Sequence, residues 1–269
     1  MDLGLGGAKV AVNGGSKGMG RAAAEVLAAE GAFVAVLART KEGLDETAEA
    51  LLVGGAADVL AIPTDIRDRA QVEAAFAGIA ERWGSLNVLV NAAGPVEVGV
   101  ARFDDLDDDE WAATFDIGTF GAVRCIRAAL PLLRTAGWAR IVNVSAHSTR
   151  RQSPDIVAYT AAKAALTSLS KNLSLSLAPE GILVNTVSPG SFLSAGLQAY
   201  LASLPAGRGI DPNDLHDAMR VITEDFGHPA HLGRAGDPAE IGPVIAFVAS
   251  RINTYMTGAD INVDGGSDF

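Results

Sequence analysis

Lys9-Val10-Ala11-Val12-Asn13-Gly14-Gly15-Ser16-Lys17-Gly18-Met19-Gly20-Arg21-Ala22-Ala23-Ala24 is the stretch on which the fold turns. A short apolar run passes through four glycines into an alanine-rich segment of strong helix propensity. Glycine permits a sharp turn and lets the backbone itself come close to a ligand. The free N–H groups and the dipole of a helix N-terminus then attract an anion such as a pyrophosphate. The spacing Gly14-x3-Gly18-x-Gly20 differs from the commoner Gly-x-Gly-x-x-Gly. Its place, between a first strand and a helix, is what points to a dinucleotide.

Outward from this unit, short β-branched runs alternate with longer alanine- and leucine-rich segments. The runs at 9–12, 33–37, 59–62, 87–90, 140–144, 183–187 and 260–263 are nearly continuous in apolar residues, as strands covered on both faces are. Segments 19–29, 42–52, 70–83, 110–133, 154–177 and 238–249 read as helices. The alternation predicts an α/β fold of the Rossmann type, a doubly wound, seven-stranded parallel sheet with helices on both faces. No repeat, linker or shift of composition divides the 269 residues, so 1–269 reads as a single domain.

Composition narrows the function. Apolar residues at 49% and charged residues at 20% supply a sizeable core. Lys and Arg total 21 against 32 Asp and Glu, a formal charge of −11 that repels phosphate backbones. Aromatics at 6% leave few platforms for stacked bases, so nucleic acid is not an expected partner. The single cysteine, Cys125, cannot form an internal disulfide and sits in an apolar segment read as core. The opening MDLGLGG has no basic region ahead of an apolar stretch. The longest apolar runs, such as 241–250, fall short of the roughly 18 residues that span a membrane. The expectation is a cytoplasmic protein with no membrane partner.

One segment breaks the rhythm. Residues 191–236 form an unusually long connection after the sixth strand, where ligands of open α/β sheets bind. Leu193, Leu197, Tyr200 and Leu204 recur at helical spacing within it, and Pro205, Gly207, Gly209 and Pro212 then punctuate it. It reads as a lid over an apolar substrate, or else as a flap packed on a neighbouring subunit.

Tyr159 and Lys163 stand four residues apart, hence on one face of the helix at 154–177. Ser153-Pro154 reads as the cap and first turn of that helix, and Leu166, Leu169, Leu173 and Leu177 as its buried stripe. A phenol ordinarily keeps its proton until about pH 10. A neighbouring ammonium favours the phenolate, and the pair can then exchange a proton with a carbonyl oxygen near neutral pH.

Five motifs at strand ends together resemble the short-chain dehydrogenase/reductase family, along nearly the whole chain. They are the turn from Asn13 to Gly20, with Asn where the family has Thr; Asn91-Ala92-Ala93-Gly94; Tyr159-x3-Lys163; Pro189-Gly190; and Asp264-Gly265-Gly266. The resemblance implies a nicotinamide cofactor as hydride carrier, with Tyr159 as general acid/base. Lys163 would tune that phenol and contact the nicotinamide ribose. A homotetramer, or a dimer, is implied as well. The implied cofactor cradle places Gly14, Ser16, Lys17, Gly18, Met19 and Gly20 at the pyrophosphate and Asp65 and Ile66 at the adenine. Asn91, Ala92, Ala93 and Gly94 would lie alongside, and Pro189, Gly190 and the backbone at Phe192 would hold the carboxamide.

Family members that use NAD carry Asp where this chain has Ala38, to bind the ribose 2′-hydroxyl. Here Arg39 and Thr40 follow instead, and a guanidinium can clamp a 2′-phosphate bidentately. Lys17 approaches the same phosphate from the glycine turn. NADP(H) is therefore the expected cofactor.

The chain departs from the family at two positions. The family's carbonyl-orienting serine lies thirteen residues before the tyrosine, where this chain has Ala146. Ser145 is the favoured substitute, and Ser148 the alternative. The family's relay asparagine aligns with Gly118, and neighbouring Asp116 reads as structural. His147, His216, His228 and His231 lack metal-ligand spacing, so no metal is expected. Arg150 and Arg151 read as a solvated pair, and the acidic run 104–110 as a helix start.

The expected activity is NADP(H)-dependent interconversion of a ketone and a secondary alcohol on a fairly hydrophobic small molecule, such as a 3-oxoacyl compound or a steroid. Gly118 and Ala146 motivate a second reading, an enoyl- or dienoyl-thioester reductase. A third is a catalytically inactive NADP-binding sensor or partner subunit.

Overall fold

A computed structural model describes residues 2–95 and 99–267. From the N-terminus run β1 (Lys9–Asn13), α1 (Gly18–Ala29), β2 (Phe33–Ala38), α2 (Lys41–Val53), β3 (Asp58–Pro63), α3 (Arg69–Trp83) and β4 (Val88–Asn91). There follow α4 (Asp108–Phe115), α5 (Gly121–Thr135), β5 (Ala139–Val144), α6 (Val157–Leu177) and β6 (Ile182–Pro189). The last elements are α7 (Ala195–Ser203), α8 (Leu215–Phe226), α9 (Pro238–Ala249) and β7 (Asp260–Val263). All seven strands pair in parallel in the order β3-β2-β1-β4-β5-β6-β7. The expected doubly wound sheet is thus present, and its order reverses between β1 and β4. A crevice opens at such a switch point, beyond the carboxyl ends of the strands.

Alternation of side chains across the pleat divides the core in two. Val10, Val12, Val34 and Val36 meet Leu27, Leu44, Leu51 and Ile245 from α1, α2 and α9 on one face. Ala11, Leu37, Leu89 and Ile141 meet Phe76, Ile79, Cys125 and Leu133 from α3 and α5 on the other. Burying each such leucine or isoleucine contributes roughly 1.5–3 kcal/mol. Cys125 is fully buried, and burial pushes its thiol up to about 12. Across the sheet, Asn13, Asn91 and Asn143 fall in register at the ends of β1 and β4 and near the end of β5. Asn91 Nδ2 donates to Asn143 Oδ1 at 2.8 Å, and Asn143 Nδ2 donates to Ser170 Oγ on α6 at 2.8 Å.

Three local expectations are corrected. Segment 110–133 is two helices, α4 and α5, joined by a π-helical turn over Asp116–Phe120. The acidic run does mark a helix start: Asp107 accepts the Glu110 N–H at 2.8 Å, and Glu110 accepts the Asp107 N–H at 3.0 Å. Helix α6 begins at Val157 rather than Pro154, because Ser153 Oγ accepts the Asp155 N–H in a local turn at 3.3 Å. Its inner face keeps Leu166 and Leu177, but Ser170 and Ser174 are buried where Leu169 and Leu173 are only half-buried. Small residues there let α6 approach β5 closely enough for the Asn143–Ser170 bond.

Residues past Pro189 form a helical pair with a core of its own, in which Leu201 of α7 meets Ala218, Met219 and Ile222 of α8. Leu193, Leu197 and Leu204 pack against it as expected. Tyr200 does not; its ring lies at the surface, 5.9 Å from that of Phe226, and its hydroxyl donates to Asp225 at 3.3 Å. Helix α8 lies outside the sequence expectation, although Asp214 caps its first turn and Gly227, at φ 68°, ends it. Among the described residues no helix is long and apolar enough to cross a membrane.

Candidate active site

The glycine turn is shaped by contact with the neighbouring strand end. Gly14 has φ 75°, and a Cβ there would lie 2.6 Å from the Ala93 nitrogen. A Cβ at Gly20 would lie 2.3 Å from the Gly14 carbonyl oxygen. The turn therefore presses on Ala92 and Ala93 with bare backbone. No side chain caps α1, and its first turn holds no acid, so its N–H groups and positive dipole end face the crevice uncompensated by the protein. Such a cradle fits the pyrophosphate of a dinucleotide. Lys17 is exposed at its edge, and Ser16 packs against Gly43 in the first turn of α2 beside Thr40. Arg39 and Thr40, both exposed, follow directly on β2.

Asp65 and Ile66 follow β3. Arg67 holds the Asp65 carboxylate at 2.5 Å, and this pairing lowers the carboxyl pKa, with a smaller contribution from Arg39. Ile66 packs where a Cβ on Gly121 would otherwise sit, 2.4 Å from its Cδ1. Arg124 of α5 donates to the Ile66 carbonyl at 3.2 Å and to Asp116 at 2.6 Å. Asp116 is thus structural, as expected. Arg124 is a contributor that sequence reasoning missed; an arginine inside a helical pattern gives no sign that it reaches another loop.

Lys163 is 3% exposed, and its ammonium donates to the Val144 carbonyl at 2.8 Å, close beside Gly94. Burial lowers its pKa to about 8. Tyr159, one turn earlier on α6, is half-buried, and its phenol is pushed up to about 12 by burial. The protein alone therefore keeps Tyr159 protonated: desolvation raises the phenol, and the expected lowering by Lys163 is not seen. A phenol that keeps its proton can give it to an oxygen acceptor.

Ser145 is placed differently from the expectation. It is 1% exposed, and its hydroxyl donates to the Lys163 carbonyl at 3.1 Å and pairs with Thr167 Oγ1 at 2.7 Å. Its side chain faces α6 because odd and even residues of β5 alternate: Asn143, two residues earlier, points to the same helix. Ser145 braces strand to helix. Ser148 lies in a short turn beyond β5, 2% exposed, and its Oγ finds no hydrogen-bond partner among the described residues. Gly118 has a packing reason, since a Cβ there would lie 2.9 Å from Ala162 Cβ. An asparagine does not fit that contact without displacing α6.

Pro189 and Gly190 end β6 against β7; a Cβ at Gly190 would lie 2.7 Å from Asp264 Cα. Phe192 is 8% exposed, with its ring over Gly236. His147 Nδ1 meets the Pro189 carbonyl at 3.1 Å. Arg150 stays exposed, as expected of a solvated cation, whereas Arg151 is held by backbone carbonyls. Arg150 reaches Asp260 at 3.3 Å, and Arg151 donates to the carbonyls of Ser267 (2.9 Å), Gly227 (3.3 Å) and Pro229 (3.4 Å). His228, next to Gly227, has its pKa lowered by burial first, then by Arg151 and His147, and is neutral at pH 7.

Comparison with known proteins agrees with this geometry. The family model described as Enoyl-(Acyl carrier protein) reductase matches residues 14–268. The short-chain reductase protein NovJ of Streptomyces niveus is 33% identical, over 95% of this chain and 92% of its own. Meso-2,3-butanediol dehydrogenase of Serratia marcescens is 32% identical, over 96% and 93%. Among solved structures, L-sorbose reductase of Gluconobacter frateurii complexed with NADPH and L-sorbose superposes with a TM-score of 0.91 at 27% identity, covering 99% of this chain and 98% of that one.

Proposed function

The chain belongs to the short-chain dehydrogenase/reductase family and is an oxidoreductase acting on CH–OH groups with a nicotinamide cofactor, and from this premise we propose its particular chemistry. It interconverts a ketone and a secondary alcohol on a small molecule with an apolar body, using NADP(H). The observation that carries this reading is the pair on α6: a protonated phenol at Tyr159 and, one turn on, the buried ammonium of Lys163.

When bound, the cofactor supplies or accepts the hydride. Tyr159 gives its proton to the substrate oxygen in reduction and takes it back in oxidation. Lys163 fixes that end of the crevice through Val144 and faces the ribose. The glycine turn and the N-terminus of α1 hold the pyrophosphate, with Gly14, Ser16, Lys17, Gly18, Met19 and Gly20 in contact. Arg39 and Lys17 bind the 2′-phosphate, Asp65 and Ile66 the adenine, and Asn91, Ala92, Ala93 and Gly94 the face of the crevice. Pro189, Gly190 and Phe192 meet the carboxamide. Residues 191–236 act as a lid on a single domain, in a homotetramer. The thioester-reductase reading loses one of its motives, since the Gly118–Ala162 contact accounts for the missing asparagine by packing.

Tyr159→Phe is expected to lower kcat for ketone reduction by about 100- to 10,000-fold and to leave NADPH affinity near that of the unaltered protein. Stopped-flow reduction and fluorescence titration measure the two. Full activity in that variant would refute the assignment.

A further inference from the structure

The turn after β5 and the loop that closes α8 meet at one seam, held by Arg151, whose guanidinium donates to the Gly227, Pro229 and Ser267 carbonyls. Each side of that seam presents one buried polar atom with no hydrogen-bond partner among the described residues: Ser148 Oγ and His228 Nδ1. Leaving such an atom unpaired is costly, and native interiors pair nearly all of them. Two such atoms, one in the turn beyond the strand end where Val144 accepts from Lys163 and one in the loop beside Arg151 and His147, form the pattern of a site completed by a polar ligand.

We propose that Ser148 and His228 form a subsite that hydrogen-bonds a second oxygen function, a hydroxyl, on the ketone or alcohol being turned over. This rests on the reading of Tyr159 as the proton donor to the reacting oxygen. The chemistry of the seam selects a hydroxyl. A serine hydroxyl and a neutral imidazole nitrogen can each donate or accept, and a hydroxyl satisfies one as donor and the other as acceptor. A carboxylate is disfavoured, because the Arg151 donors are already turned to carbonyls and Asp155 stands nearby, 3.6 Å from Arg102. The preferred substrates are therefore hydroxyketones and the matching diols.

The test compares NADPH oxidation with cyclohexanone and with 2-, 3- and 4-hydroxycyclohexanone, so that the spacing of the two oxygens is read from the result. At least one hydroxyketone is expected to exceed cyclohexanone in kcat/KM by about tenfold or more. Ser148→Ala and His228→Phe should each reduce that preference by about fivefold or more, and Ser148→Thr should retain most of it. Should Ser148→Ala fail to fold, His228→Phe gives the same readout from the other side of the seam. The proposal is overturned if no isomer is preferred, if the preference survives both variants, or if the variants lose both substrate classes equally. Cyclohexanone turnover by the unaltered protein, and its loss in Tyr159→Phe, tests the underlying reading separately.

Discussion

At the scale of single residues, the chemistry is governed by burial. Lys163 has a pKa lowered to about 8, so its ammonium persists below that pH and is lost above it. kcat/KM for NADPH, which reports the free enzyme, is therefore expected to be level below pH 8 and to fall as pH rises through it. Lys163→Arg should remove that descending limb, and a wild-type profile level to pH 10 would contradict the assignment. Tyr159, at about 12, adds no ionisation within this range. Under the proposed reading, Arg39 sets the cofactor preference. Arg39→Asp replaces a phosphate clamp with a carboxylate suited to a ribose hydroxyl, and should reverse the kcat/KM ranking of NADPH over NADH. The Tyr159–Lys163 pair was legible because helical spacing alone places both on one face. The orientation of Ser145 was not, since counting residues from Tyr159 cannot tell which way a strand ending in a tight turn presents its side chains.

Elements were legible where local signals and tertiary packing agree. All seven strands stand within a residue or two of the apolar runs; the five inner strands are buried on both faces, whereas the edge strands β3 and β7 are only half-buried. Helix α9 matches its expected bounds, opened by the Asp237 cap and the Glu240 capping box. The break in segment 110–133 was hidden, because a π-helical turn keeps helical periodicity while shifting its phase. Gly118 is the residue that makes this turn fit against α6. Gly118→Asn is expected to cost about 1–3 kcal/mol in urea unfolding, and Ala162→Gly in the same chain should recover part of the loss. Equal stability of Gly118→Asn and wild type would show that α6 yields freely there. Helix α8 could have been read from Asp214, the spacing of Leu215, Met219 and Ile222, and Gly227. Four breaking residues just before it obscured the signal.

For the whole molecule, the division that matters is between the sheet and the helical pair α7–α8, which has its own small core. Surface ion pairs such as Arg208 with Glu224 and Asp225 add little to its stability. Backbone amides in α7 and α8 should therefore exchange with solvent deuterons faster than those of β1, β4 and β5, and should slow when NADPH and a substrate bind together. Exchange as slow as the sheet's in the free protein would argue against a lid. The sequence announced an insertion here by its length, but the pairing of its helices depends on contacts that no local pattern encodes.

The buried thiol of Cys125 has a practical consequence. With its sulfur enclosed and its pKa near 12, it is inert to alkylating reagents in the native state. A cysteine introduced at an exposed position of α7 or α8 would thus be the sole reactive handle on the chain, so a dye or spin probe can be attached there without first deleting the native one.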